Sequence, residues 1–429
     1  MIRISWRNIW RNRRRALITM ASVFFAAFFS ILMICFQGGA FSKMIDNTLR
    51  TQAGHIQIHA KGYWEEKITE NFMFMDAATL LYMERIPNID NVSPRLETFA
   101  LAASETNSKG IALVGISPQK EAVKSNLPSR VKKGVYLTET DDGVLIGEGV
   151  AKYLNVTVGD TLALIGQGYH GASAAGLFPI RGIVKLITNE MDNGVAYLTL
   201  PSVQFFMDMP DGYSGVLISI INNKRLDETM RDICEHLFLT GKDLSLTGKE
   251  DPENQQIKVE NQIWEAGGYE VLPWHFTMER LLETEKSDRM IGVVVIFILY
   301  VIVGFGILGT VVMLTNERRH EFCVLISIGM TRLRLSATIV CELLIMSFIG
   351  VFLAYGVTLP IAHWFHAHPI QVTGGMAEMF IDYGMEPLLP LSIEPSIFTN
   401  QITTVLVIVA LTLIYPVRKI MKLKISENK

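Results

Sequence analysis

Two kinds of hydrophobic patterning divide the chain. Four windows, 16–41, 290–314, 335–360 and 397–416, are apolar on every side and nearly uncharged. Each supplies the roughly 20 apolar residues that a helix needs to cross about 30 Å of hydrocarbon. A helix with no polar face belongs in a core or a bilayer, and this length favours the bilayer. Between the first two windows the pattern changes. AGHIQIHA (53–60) alternates polar and apolar, and KGIALVGI (109–116) reads as a second strand. Residues 143–166 read as strand, short helix, glycine turn and strand, and LFPIRGIVKLI, GVAYLTL and YSGVLISIIN follow as strands between turn residues. Asp76 is placed to cap a helix that runs to Met83 and stops before Pro87. Strand 214–222, helix 225–239 and strand 269–275 make a βαβ unit, with the polar stretch between the last two as a surface excursion. Residues 277–290 have helical spacing and enter the second window without a breaker, which predicts a stiff stalk. The expected fold class is therefore an α-helical membrane protein with four transmembrane helices and a large mixed α/β extracytoplasmic domain inserted between helices 1 and 2.

Charge gives the four helices a direction. Residues 1–15 carry Arg3, Arg7, Arg11, Arg13, Arg14 and Arg15 and no acid. The 315–334 linker has four basic residues against two acids, and the tail is basic. The loop 361–396 has no Lys or Arg and four acids, Glu378, Asp382, Glu386 and Glu394. Lys and Arg collect on the cytoplasmic side. The expected layout is then a cytoplasmic basic amphipathic helix at 1–15, spans at 16–41, 290–314, 335–360 and 397–416, and an extracytoplasmic domain with its stalk at 42–289. The 315–334 linker and the 417–429 tail are cytoplasmic and the 361–396 loop is extracytoplasmic. Both termini lie inside. The first window exceeds the apolar core of a signal peptide and is read as a retained anchor. Of four cysteines, Cys35 and Cys341 fall in spans, Cys323 in the linker and only Cys234 on the oxidising side. The outer domain must therefore stand without an internal disulfide.

Candidate chemistry is sparse. The sequence has no G-x-x-x-x-G-K-[ST] phosphate loop, no G-x-S-x-G, no H-E-x-x-H and no paired C-x-x-C. His55 and His59 share a strand face with Gln57, which reads better as an exposed polar face than as a metal site. His363, His366 and His368 sit beside Trp364 just past the third span and read as interfacial residues. Glu342 lies within the third span near its linker end, where an ionisable group needs a partner or the bundle interior. A structural hydrogen bond and a role in a moving interface stand as equal alternatives for it. The linker is more specific. Phe322, Leu325, Ile326, Gly329 and Met330 follow helical spacing and form one apolar stripe. Glu317, Arg318, Arg319 and Glu321 load its start with charge, Gly329 is placed to end the helix, and Thr331 to cap the next. Such a helix either lies in the headgroups or plugs into a groove on a cytoplasmic partner.

Two motifs carry a resemblance. NERRHEFCVLISIGMTRLRL (316–335) resembles the linker of FtsX-like permeases, and ISWRNIWRNRRRALIT (4–19) resembles their N-terminal helix. Within that group VLIGEGVAKYLNVTVGDTLALI (144–165), DNGVAYLTLPSVQFFMDM (192–209), VLPWHF (271–276) and PLLPLSIEP (387–395) resemble the lipoprotein-releasing permeases with a MacB-type outer domain. The resemblance covers nearly the whole chain. It implies a permease of the bacterial inner membrane, dimeric with an identical or paralogous second permease, seated on a dimer of separate ABC ATPase subunits. ATP and Mg²⁺ would be bound there, with no cofactor in this chain, no enzyme activity of its own and no nucleic acid among its partners. The linker, through Glu317, Arg318, Arg319, Glu321, Phe322, Leu325 and Gly329, would be the element an ATPase grips. Lipoproteins would be moved from the outer leaflet toward a periplasmic carrier, the partners being lipoprotein, carrier and membrane lipids. The stretch 166–180, with Gln167, Tyr169, His170, Leu177 and Phe178, matches the loop that engages a carrier. Rival readings are MacB-like export of periplasmic peptides or drugs, and a membrane-anchored sensor or binding module without an ATPase. The tail keeps Pro416 and its basic character but departs from the family's usual ending. A membrane-impermeant thiol reagent added to intact cells is expected to leave Cys323 unlabelled; labelling from outside would invert the topology.

Overall fold

A computed structural model describes residues 2–11, 13–186, 188–243, 258–260, 263–382 and 388–422. The chain divides into a helical unit, Met1–Ser42 with Thr284–Val372 and Leu388–Lys429, and an α/β unit, Lys43–Glu283 with Thr373–Pro387.

In the helical unit four helices are long and apolar enough to cross a membrane: Ala16–Thr48, Arg289–Glu317, Arg332–Ala367 and Pro395–Met421. They cover the four apolar windows and overrun them. The first is part of one helix, Arg13–Thr48, and the second belongs to Glu279–Glu317, which has no break where polarity changes. The third continues through Pro360 to Ala367. His363 and His366 therefore sit in its last turns rather than beyond its end. The His366 Nδ1 lies 2.9 Å from the Leu391 carbonyl, and Trp364 stacks on His368. The fourth breaks at Leu413, because Pro416 has no N–H to give the Thr412 carbonyl.

Two glycines let backbones touch in this unit. A Cβ at Gly350 would stand 2.8 Å from the Met20 carbonyl oxygen, so the first and third spans cross at backbone contact. One at Gly39 would stand 1.8 Å from the carbonyl oxygen of Pro390. Beside it the Ser392 N–H donates to the Cys35 carbonyl at 2.8 Å, fastening the segment before the fourth span along the first. By contrast, Gly306 and Gly309 of the second span have nothing within 4 Å.

The α/β unit is organised by one long strand, Ile89–Ala103. Its first half joins an open antiparallel sheet in the order Lys258–Glu260, Ile263–Ala266, Tyr269–Pro273, Ile56–Ala60, Gly215–Ile220, Ile89–Ala103. Its second half enters a ring that runs through Ser108–Ile116, Val195–Thr199, Val144–Gly147, Ser173–Val184 and Thr161–Gln167 and returns at Ala100–Ala103. Closing a sheet removes its exposed edges. The ring's interior holds Leu96, Ile111, Leu113, Val144, Ile146, Leu162, Leu164 and Ile180. A second core lies where helix Leu226–Asp243 lays Met230, Ile233 and Leu237 on Ile56, Ile58 and Ile218.

Several expectations meet their outcome here. Gly215–Ile220 and Tyr269–Pro273 both pair antiparallel to Ile56–Ala60, so they run parallel to one another with that strand inserted between. The βαβ unit is thus a split one. Part of the polar excursion forms the edge strand Lys258–Glu260 and the start of its neighbour Ile263–Ala266; residues 244–257, 261 and 262 lie outside the described residues. Asp76 stands at the start of helix Ala77–Met83 but makes no side-chain cap bond. His59 is buried rather than exposed, because Tyr63 covers the imidazole, their rings stacked 4.8 Å apart. Its Nδ1 lies 2.7 Å from the Ser214 carbonyl and its Nε2 3.0 Å from Gln57 Oε1. Burial lowers its pKa to about 4, so the ring is neutral at pH 7. Among the described residues no group of three or more His, Cys, Asp or Glu is arranged to hold a metal.

Gly39→Ala is expected to destabilise the purified protein by about 1–3 kcal/mol, the range for overpacking, read as a lowered midpoint of thermal unfolding in detergent. Gly306→Ala is expected to be neutral or mildly stabilising, since a helical glycine costs about 0.5–1 kcal/mol relative to alanine. Equal midpoints for the two variants would show that the Pro390 segment is not held against the first span.

Candidate functional site

The linker is built from a break, a short helix and a second break. The second span ends at Glu317, Arg318 leaves helical geometry at φ −90°, ψ 6°, and helix Arg319–Ser327 follows. Gly329 takes φ +106°, a left-handed conformation that suits glycine. The Met330 N–H reaches the Leu325 carbonyl and the Gly329 N–H the Ile326 carbonyl, each at 3.0 Å, which is a Schellman ending. The Thr331 hydroxyl then accepts from the Arg334 N–H at the start of Arg332–Ala367. The stop at Gly329 and the cap at Thr331 are both where the residue types place them.

Arg318 holds these pieces together. Its Nη1 donates to both carboxylate oxygens of Glu342, at 3.0 and 2.8 Å, and its Nε to Glu321 Oε2 at 3.1 Å. The guanidinium also lies 5.6 Å from the centre of the Phe322 ring. Arg318 and Glu342 are both buried. Paired burial with both carboxylate oxygens engaged is the arrangement in which attraction can offset desolvation. Beside the pair, a cavity of about 20 Å³ between Thr315, Phe322 and Met346 has room for one water. Glu321 reaches onward to Arg11, whose Nη2 lies 3.0 and 3.1 Å from its oxygens. At the other end Arg332 donates to the Met421 carbonyl at 2.8 Å, and Lys419 reaches Asn316.

This network divides the predicted linker residues. Arg318 and Phe322 face the bundle interior, and Cys323, Ile326 and Met330 pack against the same core. Leu325 does not join them, although spacing put it on the apolar stripe. It faces outward with Val324 and Ile328, because the Arg318 anchor rolls the helix toward Cys323. Glu317, Arg319, Glu321 and Gly329 are exposed. Of the two alternatives for Glu342, the geometry supplies the structural hydrogen bond.

The second candidate stretch, 166–180, is a tight hairpin rather than a long loop. Strands Thr161–Gln167 and Ser173–Val184 pair out to Gln167 and Ser173 around a turn at Tyr169–Gly171. The Gly168 N–H donates to the Ala172 carbonyl at 2.7 Å, and His170 takes the left-handed φ of +54°. Gln167, His170 and Leu177 are exposed. Tyr169 is half-buried, its ring edge-on to Phe74, and Phe178 points into the ring against Phe206. Alternation within the strand explains the difference between Leu177 and Phe178.

One buried charge cluster left no signal in the spacing. Arg95 donates to both oxygens of Glu121, at 2.8 and 3.0 Å, beneath helix Pro118–Ser125. Lys124 is buried beside them, and desolvation with the neighbouring Arg95 lowers its pKa to about 7. These residues lie on the inner side of the sheet and do not reach either candidate stretch.

Four helices long and apolar enough to cross a membrane, joined to a large α/β unit, define the class as a multi-pass membrane protein. Residues 16–235 match the MacB-like periplasmic core domain, and residues 293–425 match the FtsX-like permease C-terminal domain. The chain belongs to the FtsX-like permease family with a MacB-like periplasmic core, whose members are permease subunits of ABC transporters. It is 21% identical over 330 residues to the lipoprotein-releasing system transmembrane protein LolC of Xylella fastidiosa, a match covering 75% of this chain and 71% of that one. It is 27% identical over 145 residues to LolE of Haemophilus influenzae, covering 32% and 35%. Among solved structures, the periplasmic region of MacB from Actinobacillus actinomycetemcomitans aligns with TM-score 0.36 at 14% identity, over 55% of this chain and 95% of that one. The extracellular domain of the ABC-type transporter YknZ aligns with TM-score 0.35 at 12% identity, over 51% and 98%. At these TM-scores neither likeness carries weight.

Glu342→Leu removes the buried partner of the Arg318 guanidinium and leaves it Glu321 alone, and is expected to cost about 1–3 kcal/mol, seen as a lower unfolding midpoint. Arg318→Met with Glu342→Leu removes both charges and is expected to recover most of that loss. A single variant as stable as the parent would mean that the ion pair does not form.

Proposed function

We propose that this chain is the permease subunit of a mechanotransmitting ABC complex that extracts lipoproteins from the outer leaflet of the bacterial inner membrane and passes them toward a periplasmic carrier. The α/β unit stands on the periplasmic side, and both termini and the linker stand in the cytoplasm. Two permeases, identical or paralogous, sit on two ATPase subunits, which bind ATP and Mg²⁺. Closure of the ATPases moves the linker, and the helices leading to the α/β unit relay the stroke. The hairpin with Gln167, His170 and Leu177 at its surface is the proposed carrier contact.

The observation that supports this reading is the linker's fixed roll. With Arg318 at its start tied to Glu342 of the third span and its Glu321 tied to Arg11, the helix cannot turn freely on its axis. It therefore presents one strip outward, apolar at Val324, Leu325 and Ile328 and charged at Glu321. An apolar strip with charged flanks is what a helix offers a partner groove. The likeness to LolC over 75% of the chain favours lipoproteins as cargo. The match of 16–235 to the MacB-like core also supports a second reading, export of periplasmic peptides or drugs by the same stroke.

Leu325→Asp with Ile328→Asp alters only outward side chains, so the bundle is expected to keep its unfolding midpoint. An ATPase that co-purifies with the parent chain should be lost or its coupled turnover reduced at least about tenfold, an effect of about 1.4 kcal/mol. No ATPase in complexes purified from cells, or full function in the double variant, would leave the sensor reading in its place.

A further inference from the structure

The amino-terminal helix Ile2–Arg11 has two unlike faces. One is docked: Ile9 is buried in the bundle core, and the buried Ser5 hydroxyl donates to the Thr338 carbonyl at 3.1 Å. The other carries Trp6 and Trp10, one turn apart with rings 5.9 Å from centre to centre, and both about half exposed at 46% and 53%. Arg3, Arg7, Arg13 and Arg14 are exposed around them, and the Arg13 guanidinium lies 5.7 Å from the Trp10 ring centre. Arg11 is engaged by Glu321. No acidic residue occurs before Asp46.

Two neighbouring tryptophans facing water would be an unfavourable arrangement, and at the headgroup level of a bilayer it is a preferred one. Arginine offers a planar fork that matches phosphate oxygens. Basic clusters beside the end of a membrane span attract acidic lipid. We infer that the outward face of Ile2–Arg11, continued by Arg13 and Arg14, binds anionic phospholipid headgroups of the leaflet at that end of the bundle. The indoles of Trp6 and Trp10 lie at the glycerol level, and Arg3, Arg7, Arg13 and Arg14 meet the phosphates. Ser5 and Arg11 of the same helix hold the third span and Glu321 of the linker, so the lipid on one face steadies the linker through the other. The inference rests on the membrane reading of the four apolar helices and is independent of cargo or ATPase.

The test uses the full-length chain in phosphatidylcholine vesicles carrying equal amounts of either dibrominated phosphatidylglycerol or dibrominated phosphatidylcholine. Trp6→Phe with Trp10→Phe identifies the fluorescence belonging to these two residues. The phosphatidylglycerol probe is expected to quench that component about threefold more than the phosphatidylcholine probe. The preference should fade toward one as salt is raised to about 0.5 M, which needs no variant. It should vanish in R3Q/R7Q/R13Q/R14Q and persist when the same four positions are lysine. Equal quenching by the two probes in the parent, a preference indifferent to salt, a preference that survives in the glutamine variant, or one lost in the lysine variant would each overturn the inference.

Discussion

The buried pair of Arg318 and Glu342 decides how the helical unit can be arranged. Each charge loses its water, and either alone would be intolerable where it stands. Together they require the break after Glu317 to lie beside the linker end of the third span, within 3 Å of atom-to-atom contact. That requirement sets the roll of helix Arg319–Ser327, and the roll determines which residues are inner and which are outer. Glu321 extends the same set of charges to Arg11, so the chain's first helix depends on it too.

The α/β unit has its own organising constraint. Strand Ile89–Ala103 belongs to an open sheet over its first half and to a closed ring over its second. The change of neighbours comes at Arg95 and Leu96, where the ion pair with Glu121 gives way to the apolar interior. The ring keeps Phe178 inside and Leu177 outside on consecutive residues, which leaves the hairpin at Tyr169–Gly171 a rigid base.

How much of this is legible in the sequence depends on which rule a residue obeys. A membrane span needs only length and composition, so all four windows can be read directly. Their ends cannot, because helices Arg13–Thr48 and Glu279–Glu317 continue past the apolar residues. Glycine and threonine at 329 and 331 act through local backbone chemistry and are readable from residue type. Leu325 is not, since its direction follows from an ion pair between residues 24 positions apart. Strand Ile89–Ala103 escaped the pattern for a related reason. Asp90, Asn91, Ser93, Pro94 and Arg95 do not alternate, because polar contacts such as Asn91 to the Lys120 carbonyl replace apolar ones. Pro94 is tolerated because residues 89–95 have a strand neighbour along one edge alone among the described residues. The burial of His59 does not show in the alternation, because what covers its face is the chain just after the strand, Tyr63 and Trp64.

Gly39 and Gly350 carry a kinematic consequence. Where backbone meets backbone there is no side chain to change rotamer and absorb a displacement. The first span is joined in this way to the third at Met20 and Gly350, and to the approach of the fourth at Gly39 and Pro390. Those three helices reduce to a single rigid frame. The second span has no such backbone contact at Gly306 and Gly309, and side chains alone tie it to that frame: Tyr300 to Gln401 along its length, and Arg318 just past its end to Glu342.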